Sequence, residues 1–192
     1  MRHPSLLVKP NHKIMQKFSL LFAFVLAATQ LVGCRVAPSK PTEQDTIAIY
    51  QTVIRRLCQT DDTFGGMLEK RTLYIIRATN DAAGDPSIQQ SNSVVLSETV
   101  QQGVTDALAD LPVTIMWVDR FDQVSIDADT GFVSDKGVII TLGNIKYENS
   151  DKALVPASIY VAFLAAGGRT YIVEKKDGVW TITGTTGVEW IS

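Results

Sequence analysis

Ile47, Tyr50, Ile54, Leu57 and Cys58 recur at helical spacing, and Thr42 with Asp45 three residues later forms a capping-box-like start in which Asp stands where Glu or Gln is usual. The pattern predicts a helix over Glu43–Gln59, with Cys58 on its apolar stripe as an inert buried thiol. Asp61-Asp-Thr-Phe-Gly-Gly66 reads as a turn, Thr72–Arg77 as a first strand, and Asn80–Ser93 as a polar loop. Ser97 is the expected N-cap of a second helix, with Glu98 in its first turn and Val100, Val104, Ala107, Leu108 and Leu111 as its buried stripe, ended by Pro112.

Strands follow at Val113–Val118, Gly137–Ile145 and Ala157–Ala166, the last two apolar enough to be covered on both faces. Gly167-Gly168 reads as the link to a strand that begins at Arg169. Thr170–Lys176 and Val179–Thr183 flank Asp177-Gly178, a strong signal for a hairpin whose type I′ turn needs φ > 0 at both central residues. Pairing Lys176 with Val179 sets Val173 opposite Ile182 and Lys175 beside Trp180 on the core side, with Glu174 and Thr181 on the wet side. The order α-β-α-β-β-β-β-β predicts an α+β domain: two helices packed on a curved, mainly antiparallel sheet of five to six strands ending in a β-meander.

The closing Glu174–Trp180 hairpin with Trp190-Ile-Ser192 resembles that of uncharacterised secreted bacterial domains, over roughly the last 25 residues, and the resemblance implies no activity. The ordering partly resembles NTF2-like and cystatin-like folds. A strand between the two helices departs from them, so no site residues carry over.

Residues 1–33 hold four basic side chains (Arg2, Lys9, Lys13, Lys17), both histidines (His3, His12) and no acid. The apolar run Phe18–Ala28 has 11 residues, too short to span a bilayer core of roughly 30 Å and suited to a signal-peptide h-region. Leu31-Val32-Gly33-Cys34 stands directly behind it and resembles the lipobox of bacterial lipoproteins. The resemblance implies cleavage before Cys34, a diacylglyceryl thioether on its sulfur and usually a further acyl chain, such as palmitate, on its amine. The rival readings are an ordinary secretory signal cleaved near Gly33 and a buried helix, and Met15 offers an alternative start. The expected organisation is a signal peptide (1–33), a lipidated Cys with an extended tether holding Pro38 and Pro41 (34–42), and one domain (43–192). The protein is then expected in the bacterial cell envelope, anchored to a membrane through Cys34 and outward-facing or periplasmic.

Removal of residues 1–33 leaves 14 basic against 20 acidic side chains, a formal charge of −6 and no basic patch, which argues against nucleic acid. It also leaves no histidine, and Cys58 as the one unmodified thiol. Ser-His-Asp and Cys-His catalysis, His-ligated metals and an intramolecular disulfide are therefore excluded for that chain. GxGxxG, GxxxxGK[ST], GxSxG and SxxK are absent, and no cofactor is expected.

Asp119, Asp122, Asp127, Asp129 and Asp135 crowd one inter-strand loop. An EF-type calcium loop counted from Asp127 would place Phe132 at its glycine position and Val138 at its final acid, so the motif fails and no metal is predicted. Asp129-Thr130-Gly131 reads as a turn. Asp61, Asp62, Asp81 and Asp85 lie in two other loops and are open to convergence. The aromatics Trp117, Trp180, Trp190, Tyr74, Tyr147, Tyr160 and Tyr171 suit core filling better than a groove. Arg77 and Arg120 follow strand ends, where an anion can be held, and with Asp119 and Asp122 they form the candidate binding set.

Three functions follow as expectations. The first is a lipid-anchored, non-catalytic envelope protein that binds a protein partner or takes part in envelope assembly. The second is a small-molecule binding module with a pocket between helices and sheet. The third is a carboxylate-based hydrolase.

Overall fold

A computed structural model describes residues 41–89 and 92–192; the proposed signal peptide, Cys34 and most of the tether lie outside the described residues. Helix α1 (Glu43–Gln59) begins where the capping pattern places it: Thr42 Oγ1 accepts from the Asp45 amide at 3.1 Å, and Asp45 Oδ2 accepts from the Thr42 amide at 3.1 Å. Helix α2 (Glu98–Ala107) starts at the Ser97 cap, whose hydroxyl accepts from the Val100 amide. It ends four residues earlier than the apolar stripe suggests. The Leu108 amide bonds both Val104 O and Thr105 O, tightening the last turn, so Ala107 is exposed and Leu111 only half-buried.

Seven strands form one sheet: β1 (Thr72–Ile76), β2 (Thr114–Val118), β3 (Gly137–Leu142), β4 (Lys146–Asn149), β5 (Lys152–Ala162), β6 (Ala165–Lys176) and β7 (Val179–Ile191). The order is β2-β1-β3-β5-β6-β7, with β4 paired to β5. The α+β class stands, but the sheet is larger than expected and mixed, since β1 runs parallel to both β2 and β3. Parallel neighbours need a crossover, and α2 supplies one between β1 and β2. The long segment 119–136 returns the chain from β2 to β3. From β3 onward the pairs are antiparallel, as the meander requires.

β5 starts well before Pro156, where a sequence reading stops it. Pro156 lies where β5 changes outer neighbour from β4 to β3; its carbonyl accepts from the Gly143 amide at that break, so no ladder donor is needed on that side. The expected Gly167-Gly168 turn is also corrected. The chain reverses at Phe163-Leu164, and both glycines are paired inside β6. A Cβ on Gly168 would stand 2.0 Å from Ala83 O and 2.5 Å from Trp190 Nε1, so glycine is there to admit a carbonyl and an indole.

The β6–β7 hairpin has the expected register, with Asp177 at φ 52° and Gly178 at φ 83°. Strand β7 runs past the expected Thr183 to Ile191, with Gly187 at φ 74° and breaks in its pairing with β6. The main core lies between the two helices and one sheet face, around Ile49, Val53, Ile54, Leu57, Leu73, Ile75, Val104, Leu108, Val155, Ile159 and Tyr171. On the other face, segment 119–136 lays Val124 and Val133 over Ile139, with Tyr74, Val118 and Tyr160 around them. Among the described residues no helix is long and apolar enough to cross a membrane.

Candidate functional site

The predicted quartet resolves into two ion pairs. Ile76 and Val118 end parallel neighbours, so the next residues stand close: Arg77 Nη1 meets Asp119 Oδ1 at 2.7 Å, and Arg77 Nε donates to Gln101 Oε1 at 3.2 Å. Arg120 pairs with Asp122 at 3.2 Å, both well exposed. Arg77 borders a shallow groove of about 480 Å³ with Gln101, Thr105 and Trp117, where the Trp117 indole donates to Thr105 Oγ1. Hydrogen bonding from Arg77 holds the Asp119 carboxyl below the usual carboxylate range. Arg77, Gln101, Thr105 and Trp117 are thus committed to neighbours, the condition of a solvated face.

The other loop acids are dispersed. Asp127 accepts from the Thr130 amide at 2.8 Å and from its hydroxyl at 2.6 Å, making the expected turn with Gly131 at φ 71°. Asp61 serves Arg56 and Tyr171, Asp62 pairs with Lys70, Asp81 caps the Asn144 amide, and Asp85 holds Ser87. Among the described residues no three His, Cys, Asp or Glu side chains are placed to hold a metal ion. Most of the aromatics fill space: Tyr171 and Trp180 are buried, and Tyr160 packs edge-on against Phe121.

A cluster that the sequence reading missed sits between the C-terminal turn of α1 and strands β6 and β7. Arg169, Tyr171 and Val173 alternate along β6 and so share the helix-side face. Tyr171 is wholly buried, and its hydroxyl donates to Asp61 Oδ2 at 2.9 Å. The same oxygen accepts from Arg56 Nε at 3.0 Å and lies 3.7 Å from Arg169 Nη1. Glu189 Oε2 approaches Arg169 from the other side at 3.6 Å. These groups border a cavity of about 300 Å³ that Thr183 and Thr185 also line. Burial, reinforced by Asp61, pushes the Tyr171 hydroxyl far above its ordinary value, so it stays a donor at any physiological pH. The signal was a cation two residues before Tyr171 in an apolar strand; the preceding Gly-Gly disguised it as part of a turn.

The turn that presents Asp61 is tightly built. Asp62 Oδ1 accepts from the amides of Phe64 at 2.9 Å and Gly66 at 2.7 Å, and Oδ2 pairs with Lys70 at 2.5 Å in a buried ion pair. Thr63, β-branched, is held at φ 67° with its hydroxyl buried and unpartnered in the structure.

The two ends of the sheet differ. At one, the chain reaches α1 beside the β6–β7 hairpin, where Asp45 bonds Lys175 and Trp180. At the other lie the Phe163-Leu164 turn, the loop before β1 and the C-terminus of β7. Met67 and Leu164 are 86% and 88% exposed there, and Phe64, Phe132, Phe163 and Ile191 are also exposed. Phe163 covers Gly131 beside Phe132, and Ser192 Oγ donates to Phe163 O. An apolar hollow of about 210 Å³ opens among Leu68, Phe132, Val133 and Val161, rimmed by the Glu69–Lys136 ion pair. No family model, no curated protein and no solved structure matches this chain.

Proposed function

We propose that the protein is a lipid-anchored component of the bacterial cell envelope whose domain docks a protein partner and performs no catalysis. The observation that carries this reading is the exposed apolar end around Phe163 and Leu164, which lies opposite the end where the chain leads into α1. A tether running from Cys34 to Thr42 would reach the domain at its hairpin end and leave the apolar end free. Exposed aromatic and aliphatic side chains around a hollow are the usual form of a docking surface, and the hollow accepts one anchoring side chain of a partner. Asp127, Asp129 and Asp135 lie on the same loops as Phe132 and oppose an anionic lipid surface. They favour a protein segment that carries an apolar anchor with basic neighbours. The acids that a carboxylate-based hydrolase would need as a facing pair are instead tied to separate partners.

The test uses the full chain in its host, with a photo-crosslinking residue at Met67. Cys34→Ala is expected to move the protein from the membrane fraction to the soluble fraction. A single protein adduct at Met67 is expected in the parent and is expected to disappear in Phe163→Asp/Leu164→Asp, with the melting temperature retained. The anchor is overturned if Cys34→Ala remains with the membrane. The docking surface is overturned if the adduct survives the double substitution, or if Met67 crosslinks to lipid alone.

A further inference from the structure

Arg169 has a side chain only 18% exposed, and among the described residues its polar contacts are the two ion pairs to Asp61 and Glu189, both longer than a hydrogen bond. A guanidinium carries five donors in a fixed fork, and burying it without close acceptors is costly. Here the fork faces a cavity of about 300 Å³, with Arg56 on the opposite wall and the hydroxyl-bearing Thr183 and Thr185 along β7. We propose that this cavity is a binding site for a small carboxylate, held by Arg169 and Arg56, and that the Glu189 side chain is its displaceable internal stand-in. This inference does not depend on the docking surface at the far end of the sheet.

The neighbours set the ligand's charge. Asp61 is committed, accepting from Tyr171 and Arg56 at hydrogen-bond distance, and its turn is fixed by Asp62. Glu189 is different: it stands on the outer strand of the sheet, its side chain is 45% exposed, and its other oxygen accepts from Thr185 at 2.7 Å. With Glu189 in place the two arginines are balanced by two carboxylates. With Glu189 swung out, one positive charge is left for a ligand, which matches a monocarboxylate and disfavours a phosphate dianion held beside Asp61. A carboxylate also matches the guanidinium fork in a bidentate pair, and Glu189 already approaches the fork with that group.

Sodium acetate is the probe, titrated into the full-length protein at constant ionic strength while the arginine Nε–Hε NMR resonances are followed, with sodium phosphate in a parallel titration. The Arg169 resonance, assigned by its absence from Arg169→Lys, is expected to shift saturably with acetate. Glu189→Gln removes the competing charge and is expected to tighten acetate binding about five-fold. Arg169→Lys, which loses the fork, is expected to weaken it at least about ten-fold, read from the Arg56 resonance. Glu189 lies at the rim, so its variant keeps the test decisive even if Arg169→Lys does not fold. The proposal is overturned if neither the parent nor Glu189→Gln saturates, if Glu189→Gln leaves the affinity unchanged, or if phosphate binds more tightly than acetate.

Discussion

Asp45 Oδ1 accepts the Trp180 indole N–H at 2.9 Å, tying the first turn of α1 to the closing β6–β7 hairpin. Lys175 Nζ donates to the same oxygen at 2.7 Å and lies 5.5 Å from the Trp180 ring centre. The other carboxylate oxygen caps the helix. One side chain thus closes the capping box and joins two elements 130 residues or more apart in the chain.

The ion pair makes the contact pH-dependent. Hydrogen bonds from Lys175, then Trp180, then Thr42, outweigh burial and hold the Asp45 carboxyl well below its ordinary 3.8. A lowered folded value means that the stabilisation is complete above the ordinary value and is lost as pH falls below it. Asp45→Asn is expected to cost about 2 kcal/mol at neutral pH. That corresponds to a melting temperature lower by roughly 4–8 °C for a domain of this size. The gap between parent and variant should narrow as pH falls below 3.8; a gap of constant size down to pH 2 would show that charge is not its source.

Gly168 separates two readings of one dipeptide. In a flexible turn, alanine would be tolerated; inside β6 its Cβ meets Ala83 O and the Trp190 indole at distances no real contact allows. Gly168→Ala is expected to cost about 3 kcal/mol or more by displacing both groups. Gly184→Ala, whose Cβ would meet nothing nearer than Ile172 Cδ1 at 3.9 Å, is expected to change stability by under about 1 kcal/mol. Chemical denaturation of the two variants gives the comparison, and near-equal midpoints would return Gly168 to a permissive position.

These contrasts show what was legible in the chain. Signals confined to a few adjacent residues survived folding: the Thr42–Asp45 cap, the Ser97 cap, the Asp177-Gly178 turn and its register. Relations between distant segments did not. Val-Thr-Ile-Met-Trp-Val118 reads as a strand, but nothing in it says that β1 lies beside it in parallel, because that choice is made by where α2 packs. Arg77 with Asp119 was found because both stand at strand ends, whereas the Arg56–Asp61–Arg169–Glu189 cluster draws on four separated segments. A cation in a strand is read as solvated until a neighbouring carboxylate is known.

Cys58 reports on the buried Asp62–Lys70 pair beside it. Burial pushes its thiol up to about 12, although Lys70 draws it the other way, so thiolate is scarce at neutral pH. Burial also raises Asp62, but Lys70 and the amides of Gly66 and Phe64 outweigh it and hold the carboxyl below its ordinary value. Asp62→Ala leaves a buried ammonium unpaired and two amides without an acceptor, at an expected cost of about 3–5 kcal/mol. With Cys34 replaced by Ser, the folded parent should leave Cys58 unmodified by a disulfide reagent, and Asp62→Ala should speed modification at least about ten-fold. Equal rates would mean that the turn does not guard the thiol.

Thr63 supplies the last expectation. Its φ of 67° is the left-handed region, which costs a residue bearing a Cβ roughly 1–2 kcal/mol, and its buried hydroxyl adds a further penalty. Glycine removes both terms but loses more chain entropy on folding, about 0.5–1 kcal/mol. The balance predicts that Thr63→Gly is more stable than the parent by roughly 1 kcal/mol. Such a position holds a strained residue at a gain in stability forgone, which is the mark of a backbone fixed for a site, and the neighbouring Asp61 is the group it positions. Thr63→Gly is therefore expected to raise the melting temperature while loosening the acetate response of Arg169, read by the same arginine resonances. A variant that is stabilised with an unchanged acetate affinity would separate the strain from the pocket, and a destabilised one would place the contact of the Thr63 methyl with Gly167 above the strain.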